Sequence, residues 1–198
     1  ADFARGLAAQ AGRDLVFVEL PFEDLIPSLV DNRVDIVMSG LSITEGRRFR
    51  VAFADPYMTA GQQALVHRRN FDRYLLAIPL KGTRIGVEPG TTGDLFVMQE
   101  FPGNDRVPFK SPEAGARAVA DGRIDLFIHD APVVWWEAAT AEASGLTYLP
   151  TFFTRESMAW AVSKNNPALL GDANAYLGSI LATGEYQRLI QRWIPRPQ

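Results

Sequence analysis

The sequence predicts an α/β fold of two similar lobes, and three observations lead to this prediction. Helical and β-prone segments alternate along the chain, which is typical of α/β layers with parallel strand pairing. A helix–turn–strand pattern occurs twice, as LIPSLVDNRVDIVMSG over 25–40 and AGARAVADGRIDLFIHD over 114–130. Two stretches, 61–66 and 154–158, have the character of crossings between lobes. Two crossings would let the lobes close by a hinge over a ligand.

These crossings set the predicted boundaries of the lobes. We expect lobe 1 to contain residues 1–60 and 159–198, and lobe 2 to contain residues 61–158 with both crossings. A repeat at this distance is too long for a solenoid. The 198 residues, 47% of them hydrophobic, are enough for one large domain or for two small lobes with their own cores.

Local residue patterns predict the elements of the first half. Ala- and Leu-rich composition, or apolar residues at intervals of three and four, predicts helices over 4–10, with an end at Gly12, and over 24–32. Runs or alternations of β-prone residues predict strands over 15–20, 34–38, 49–53 and 83–87. In the segment EPGTTGDLF, Gly90 and Gly93 frame two threonines, and a helix is expected to begin near Asp94.

The second half continues the alternation. A helix is expected from Pro132 to near Gly145, followed by strands over 146–149 and 157–162. The tail is helical twice from Pro167, with a break near Gly184 and an end at Pro195. The first residues already have a helical pattern, so we expect that an upstream segment is missing.

Composition argues against several function classes. A formal net charge of −3 with interspersed signs argues against nucleic-acid binding, because phosphate recognition needs an excess of Lys and Arg on one face. The chain has no cysteine, which excludes disulfides and thiol chemistry, and its two histidines are too far apart in sequence to suggest a zinc site. The sequence therefore indicates no cofactor and no metal. It also contains no apolar window of membrane-spanning length and no signal-peptide pattern.

Polar residues follow the predicted strands where ligands of α/β proteins bind. Such ligands lie outside the carboxyl ends of the strands, and in two-lobed proteins between the lobes. These strand ends supply one strong cation, one carboxylate, several hydroxyls and two glycine-exposed backbones. The residues are Ser39, Gly40, Ser42 and Arg47 on one wall, and Gly90, Thr91, Thr92, His129 and Asp130 on the other.

This set of groups matches a zwitterion. The Arg47 guanidinium offers two parallel donors to a carboxylate, and backbone N–H groups at a helix start after Thr92 would add more. Asp130, a carbonyl near Gly40 and the Ser42 hydroxyl would accept hydrogen bonds from an ammonium group. An α-amino acid requires both halves at once.

Three motifs resemble those of the family 3 extracellular solute-binding proteins, which capture polar amino acids for ABC importers. They are the run SGLSITEGRRFRVAFADPY over 39–57, GTTGD after a strand, and HD at a strand end. The resemblance covers essentially the whole chain and implies a type II periplasmic-binding fold, with two α/β lobes joined by two hinge strands. It also implies a periplasmic or extracellular location and an ABC transporter permease as partner. Family members begin with a further strand, so the resemblance also implies a strand upstream of the first residue.

The resemblance implies roles for individual residues. Arg47 would bind the ligand carboxylate together with Thr92 at the helix start, and Asp130, the Gly40 carbonyl and Ser42 would bind the amino group. An aromatic side chain that packs on the ligand corresponds to Phe22. The pair His129-Asp130 is similar to the glutamine-binding branch, in which the His touches the ligand side chain. The glutamine-binding branch has a Lys where this chain has Glu88. This exchange of charge would reverse the preference for the ligand side chain, toward a cationic group. Ser39 and Thr91 complete the candidate set.

Other interpretations are open for the function and for single residues. The chain is also similar to bacterial glutamate-receptor-like domains, so it would alternatively be the sensor of a larger receptor. A dehydratase branch of the fold carries a catalytic Glu three residues after the strand-end Asp, but this chain has Val133 there, which argues against an enzyme. An enzyme of this type remains the alternative in which Glu88 or Glu137 would supply the proton. Arg47 alternatively belongs to a surface cluster with Arg48 and Arg50, and Asp130 alternatively caps the next helix.

Overall fold

The computed structural model describes residues 1–76, 81–140 and 144–194. They divide into two compact units. Unit 1 contains Ala1–Thr59 and Glu156–Trp193, and unit 2 contains Ala60–Arg155 and Ile194. The chain therefore leaves unit 1 between Thr59 and Ala60 and returns to it between Arg155 and Glu156.

Helices and strands alternate along most of the described chain, as expected for an α/β fold. The helices are α1 Asp2–Gln10, α2 Leu25–Val30, α3 Glu45–Arg50, α4 Phe71–Leu75, α5 Thr92–Glu100, α6 Pro112–Ala120, α7 Ala131–Thr140, α8 Pro167–Ala182 and α9 Glu185–Trp193. The strands are β1 Ile36–Val37, β2 Ala52–Phe53, β3 Met58–Ala60, β4 Gln62–His67, β5 Arg84–Val87, β6 Asp105–Pro108, β7 Leu126–Asp130, β8 Leu146–Tyr148, β9 Glu156–Met158 and β10 Ala161–Val162. None of the helices in the described ranges is long and apolar enough to cross a membrane.

The sheet of unit 1 differs from the expected parallel pairing. Its order is β1-β10-β2, and both pairs are antiparallel. The reason is long-range: β1 and β2 run in the same direction, but β10, which comes from the returning end of the chain, lies between them. Strands β3 and β9, beside the two chain crossings, form a separate two-stranded sheet.

The sheet of unit 2 is mixed and has an apolar core on each face. Its order is β6-β5-β7-β4-β8, with β5 parallel to β6 and β7, and β4 antiparallel to β7 and β8. Ile128 belongs to one buried cluster and Phe127 to the other. Because side chains alternate along a strand, Asp130 continues the face of Ile128, and His129 continues the face of Phe127.

The predicted repeat is confirmed in the backbone. In the first copy Arg33 N donates to Ser28 O at 2.9 Å, and in the second Arg123 N donates to Ala118 O at 2.9 Å. The turn between helix and strand is left-handed in both copies, with φ of 55° at Asn32 and 72° at Gly122. Asn and Gly are the residues that adopt this conformation at least cost, which explains the Asp-Asn and Asp-Gly breaks.

The strand predicted over 15–20 is wrong. This segment has no strand structure, and Val16, Phe17 and Val18 are 79%, 60% and 53% exposed. Within the described ranges no strand pairs with it. A β-prone composition makes a strand only when a neighbouring backbone supplies the hydrogen bonds, and local sequence does not determine whether one is present.

Other element boundaries also moved. The strand predicted over 49–53 is wrong for its first two residues, which belong to α3. Thr44 Oγ1 accepts from Arg47 N and so caps the N-terminus of this helix, and Phe49 is 84% exposed. The helix expected near Asp94 begins at Thr92, and the strand over 157–162 is divided between β9 and β10. Part of the helix predicted from Pro132, residues 141–143, lies outside the described residues. The predicted end at Pro195 lies outside them as well.

Candidate ligand-binding site

In unit 1, the N-terminus of α3 positions Arg47. Its guanidinium donates through Nη1 to the carbonyl of Ser42 at 2.8 Å, and its Cζ lies 5.4 Å from the centre of the Phe22 ring. A cation over an aromatic face is stabilised by the ring quadrupole. Arg47 is half-buried, whereas Arg48 and Arg50 are exposed. The three arginines are therefore not one equivalent surface cluster, and Arg47 alone is held on a specific surface.

The segment before α3 carries the other unit 1 candidates. Ser42 is buried and forms an antiparallel bridge with Met158, so the chain is fixed next to Arg47. Gly40 has a φ of 66°, and, its chain neighbours aside, no atom in the described part of the chain lies within 4 Å of the position that a Cβ would take. Ser39 is exposed. The structure thus brings Phe22, Ser42 and Arg47 together, with Ser39 and Gly40 in the loop between β1 and Ser42.

In unit 2, the loop between β5 and α5 is held by its own side chains. The Thr91 hydroxyl donates to the carbonyl of Glu88 at 2.7 Å and accepts from Asp94 N at 3.1 Å, which makes it the cap of α5. Gly90 has a φ of 79°, so the turn needs a residue without a Cβ. The Asp94 carboxylate in turn forms a two-bond ion pair with the Arg106 guanidinium. Thr91 thus has a structural role in this loop.

Asp130 and Thr92 are joined by a residue that the sequence analysis missed. The side-chain amide of Gln62 donates to Asp130 Oδ1 at 2.5 Å and to Thr92 Oγ1 at 3.0 Å. Gln62 is fully buried and lies directly opposite Asp130 in the pairing of β4 with β7. The one sequence signal was a pair of polar residues, Gln62 and Gln63, at the start of an otherwise apolar strand.

His129 and Glu88 form a second buried group on the other face of the sheet. His129 Nε2 and Glu88 Oε2 are 2.8 Å apart, and both side chains are buried. The backbone N–H of Asp130 donates to His129 Nδ1 at 2.8 Å. The structure therefore joins Glu88 to His129, and it also places His129 Nδ1 3.9 Å from Asp130 Oδ2, so this pair adjoins the group formed by Asp130, Thr92 and Gln62.

Opposing effects act on the pKa of His129. Burial lowers it, but the hydrogen bond with Glu88 and the negative charges of Asp130, Glu88 and Glu137 raise it, and the net pKa is raised. The hydrogen bond from Asp130 N to Nδ1 favours the neutral ring. Several carboxylates acting through a weakly screening interior raise the pKa of His129 against both burial and that one bond.

Two further carboxylates face this pair from the helices. Glu137 of α7 is buried, and its pKa is raised by burial and by the charge of Glu113, against a smaller lowering by His129. The pKa of Glu113, in the first turn of α6, is lowered by hydrogen bonds from Ser111 and from its own backbone, despite some burial. Carboxylates thus outnumber cations around His129. This surrounding favours a positive charge.

The two units therefore hold complementary charged groups. Unit 1 presents an anchored guanidinium, and unit 2 presents an oriented carboxylate, a hydroxyl at the start of a nine-residue helix and the buried His129–Glu88 pair. Such groups can bind a carboxylate, an ammonium group and a polar side chain. Across the described ranges, no group of three or more His, Asp or Glu is arranged to hold a metal ion.

Comparison with known protein families gives a match over nearly the whole chain. Residues 1–196 match the bacterial extracellular solute-binding proteins, family 3. The ABC transporter arginine-binding protein 1 of Escherichia coli strain K12 is 32% identical over 203 aligned residues, which cover 98% of this chain and 80% of that protein.

Solved structures agree with the fold. A crystal structure of a mutant of ArgBP from T. maritima is 31% identical with a TM-score of 0.85, covering 98% of this chain and 84% of that one. The ancestral amino acid-binding protein AncCDT-1, a precursor of cyclohexadienyl dehydratase, is 31% identical with a TM-score of 0.86, covering 98% and 83%. The predicted type II periplasmic-binding fold is confirmed. The chain belongs to the bacterial extracellular solute-binding proteins, family 3.

Proposed function

We propose that this protein binds an α-amino acid with a cationic side chain, of the arginine type, outside the cytoplasm and delivers it to an ABC transporter. The single observation that carries the proposal is the pair of fixed, opposite charges, Arg47 in unit 1 and Asp130 in unit 2. Each is held by hydrogen bonds within its own unit. Charges that are already oriented lose little conformational freedom when a ligand binds.

The main-chain end of the ligand would be bound by residues of both units, which we propose to act as the two lobes. Arg47 and Thr92, with the N–H groups that begin α5, would bind its carboxylate, because a guanidinium and a helix N-terminus both favour an anion. Asp130, the Gly40 carbonyl and Ser42 would bind its ammonium group. Ser39 and Thr91 would shape the surrounding loops.

The side-chain end of the ligand would be bound near the buried His129–Glu88 pair. Glu88 is held by His129, and the Glu113 carboxylate, whose pKa is lowered, adds negative charge from α6. A guanidinium or ammonium side chain would be stabilised there, whereas a carboxylate side chain would be repelled. Phe22 would pack on the ligand. The arginine-binding relatives at 31–32% identity support this choice.

No bond is proposed to be made or broken. The candidate general acid of the dehydratase branch is replaced by Val133. Glu88 and Glu137 are buried beside His129, where they would help to bind a charged group of the ligand. The partner would be the permease of the transporter, which recognises the ligand-bound form.

The experiment that tests the proposal is isothermal calorimetry of ligand-stripped protein against arginine, lysine, histidine, glutamine and glutamate. We expect a saturable heat with a cationic amino acid, weaker binding of glutamine and the weakest binding of glutamate. Agmatine, which is arginine without its carboxylate, is the matched control and should not bind. Preference for glutamate, or equal binding of agmatine and arginine, would contradict the proposal.

A further inference from the structure

We propose that Gln62 is a positioning residue that holds the Asp130 carboxylate and the Thr92 hydroxyl in the orientation that binds an amino acid. The inference rests on the proposed function, in which Asp130 receives the ligand ammonium group and Thr92 its carboxylate. Gln62 itself need not touch the ligand. It would act through the two side chains to which it is bonded.

One amide group makes both contacts. Its Nε2 lies 2.5 Å from Asp130 Oδ1 and 3.0 Å from Thr92 Oγ1, and an amide nitrogen has two hydrogens to donate. The reversed amide would place its carbonyl oxygen against a carboxylate oxygen, which is repulsive. The charge of Asp130 therefore determines which way the amide points.

The backbone of Gln62 is also fixed. Its N–H donates to Thr154 Oγ1 at 2.9 Å, and its carbonyl accepts from Phe153 N at 2.9 Å. Residues paired directly across two antiparallel strands project on the same face, as Gln62 and Asp130 do. The side chain thus leaves a rigid strand at a short distance from its partner.

Gly93 leaves the space that this amide occupies. A Cβ at Gly93 would lie 2.5 Å from Gln62 Oε1 and 3.2 Å from the carbonyl of Ile128. Gly93 lies inside α5, where alanine would otherwise favour the helix. The Gln62 side chain therefore explains why Gly93 ends the GTTG segment. The motif alone does not reveal this reason.

The two bonds have different consequences for binding. A donor to a carboxylate stabilises its charged form, which the ligand ammonium group requires. A hydroxyl that accepts from one side directs its own hydrogen away from that donor, toward another acceptor. By fixing both groups in advance, Gln62 would lower the ordering cost of binding.

The test compares Gln62→Met with Gln63→Met. Methionine keeps an unbranched chain of the same length and removes both donors. Gln63 is the next residue, also buried, but it bonds to Leu149 O and Trp135 Nε1 away from Asp130. Calorimetry would use arginine and δ-guanidinovaleric acid, which is arginine without its α-amino group, from about pH 4 to 8, the range in which carboxylates and histidine titrate.

We expect Gln62→Met to weaken arginine binding roughly ten- to a hundredfold, the size of one lost bond to a charged group. The preference for arginine over the deaminated analogue should shrink, and loss of binding at low pH should begin at a higher pH. Gln63→Met should keep the parent's preference for arginine over the deaminated analogue, even where its melting temperature falls, because Gln63 is paired with His129 and not with Asp130. A merely structural role of Gln62 would lower stability without moving these two readouts.

Gly93→Ala is the second variant, in case Gln62→Met does not fold. It keeps the amide but displaces it, so the same changes in preference and pH profile are expected. A folded Gln62→Met or Gly93→Ala protein with the parent's affinity, preference and pH profile would overturn the inference alone. A parent protein that binds arginine no better than the deaminated analogue would overturn the proposed function, and this inference with it.

Discussion

At the residue scale, Arg47 differs from its neighbours by its contacts and not by its type. It is bonded to the Ser42 carbonyl and packed on Phe22, whereas Arg48 is exposed on the same short helix. This contrast gives a matched pair of variants. Arg47→Ala should weaken arginine binding at least about a hundredfold, because it leaves the ligand carboxylate without its charged partner. Arg48→Ala should leave the affinity unchanged.

Calorimetry with both variants checks this expectation, with circular dichroism to verify folding. The helix cap is made by Thr44 and the backbone of residue 47, so it survives the loss of the side chain. Equal affinities of Arg47→Ala and Arg48→Ala would remove Arg47 from the site.

His129 leads to an expectation about pH. Its pKa in the folded protein is raised above the ordinary 6.5. A raised pKa means that the folded state binds the proton more tightly than the unfolded chain does. The stabilisation is therefore fully present below about pH 6.5 and is lost as pH rises through the folded pKa. Urea unfolding of the ligand-free parent should thus show stability falling over that window.

His129→Gln is the variant that isolates this effect. Glutamine can still donate to Glu88 but does not titrate, so the fall in stability above about pH 6.5 should be smaller than in the parent. Glu137, whose pKa is also raised, remains in both proteins and contributes the same sign at lower pH. The same slope in both proteins above pH 6.5 would show that His129 is neutral in the folded state.

At the element scale, the start of β5 is fastened to the turn before β7. The Arg84 guanidinium forms two bonds with the Asp125 carboxylate, both at 3.0 Å, and donates to the carbonyls of Gly122 and Arg123 at 3.1 and 2.7 Å. Arg84 N adds a bond to the same carboxylate at 2.9 Å. The side-chain bonds from Arg84 lower the pKa of Asp125, against the effect of burial. One arginine thus connects two neighbouring parallel strands and the left-handed turn of the second repeat.

Arg84→Ala should lower the free energy of unfolding by about 1 to 2 kcal/mol, because carbonyls and a carboxylate lose their donor. Arg123→Ala is the matched control, since its ion pair with Asp121 is more than half exposed on both sides. It should change the free energy of unfolding by less than about 0.5 kcal/mol. Chemical denaturation measures both, and equal effects of the two variants would contradict this account.

At the scale of the whole molecule, ligand binding and folding stability should be linked. A ligand that binds only the folded state stabilises it by about 2.7 kcal/mol at a concentration one hundred times its Kd. Thermal unfolding with arginine at that excess should therefore shift clearly to higher temperature. The control is Arg47→Ala at the same arginine concentration, which should not shift. A shift of equal size in both proteins would indicate stabilisation unrelated to the proposed site.

Much of the architecture was predictable because its causes are local. Residues 25–37 and 112–130 contain apolar helical spacing, then Asn32 or Gly122 where the backbone turns left-handed, then a short apolar strand. Each of these features depends on neighbours within a few positions. The strand predicted over 15–20 failed because a strand needs a partner, and no residue within the segment specifies one. The pairing of β1 and β2 through β10 was likewise decided by residues more than 100 positions away.

The sequence by itself determined the α/β class, the internal repeat, the family and the identity of the charged residues in the candidate site. Spacing alone could not show that Glu88 is the hydrogen-bond partner of His129, or that Asp130 and Thr92 share one partner. Nor could it show that Gln62, 68 positions before Asp130, holds that carboxylate. Only the tertiary structure decided these partners, because strand register and side-chain alternation bring together residues whose local sequences contain no reference to each other.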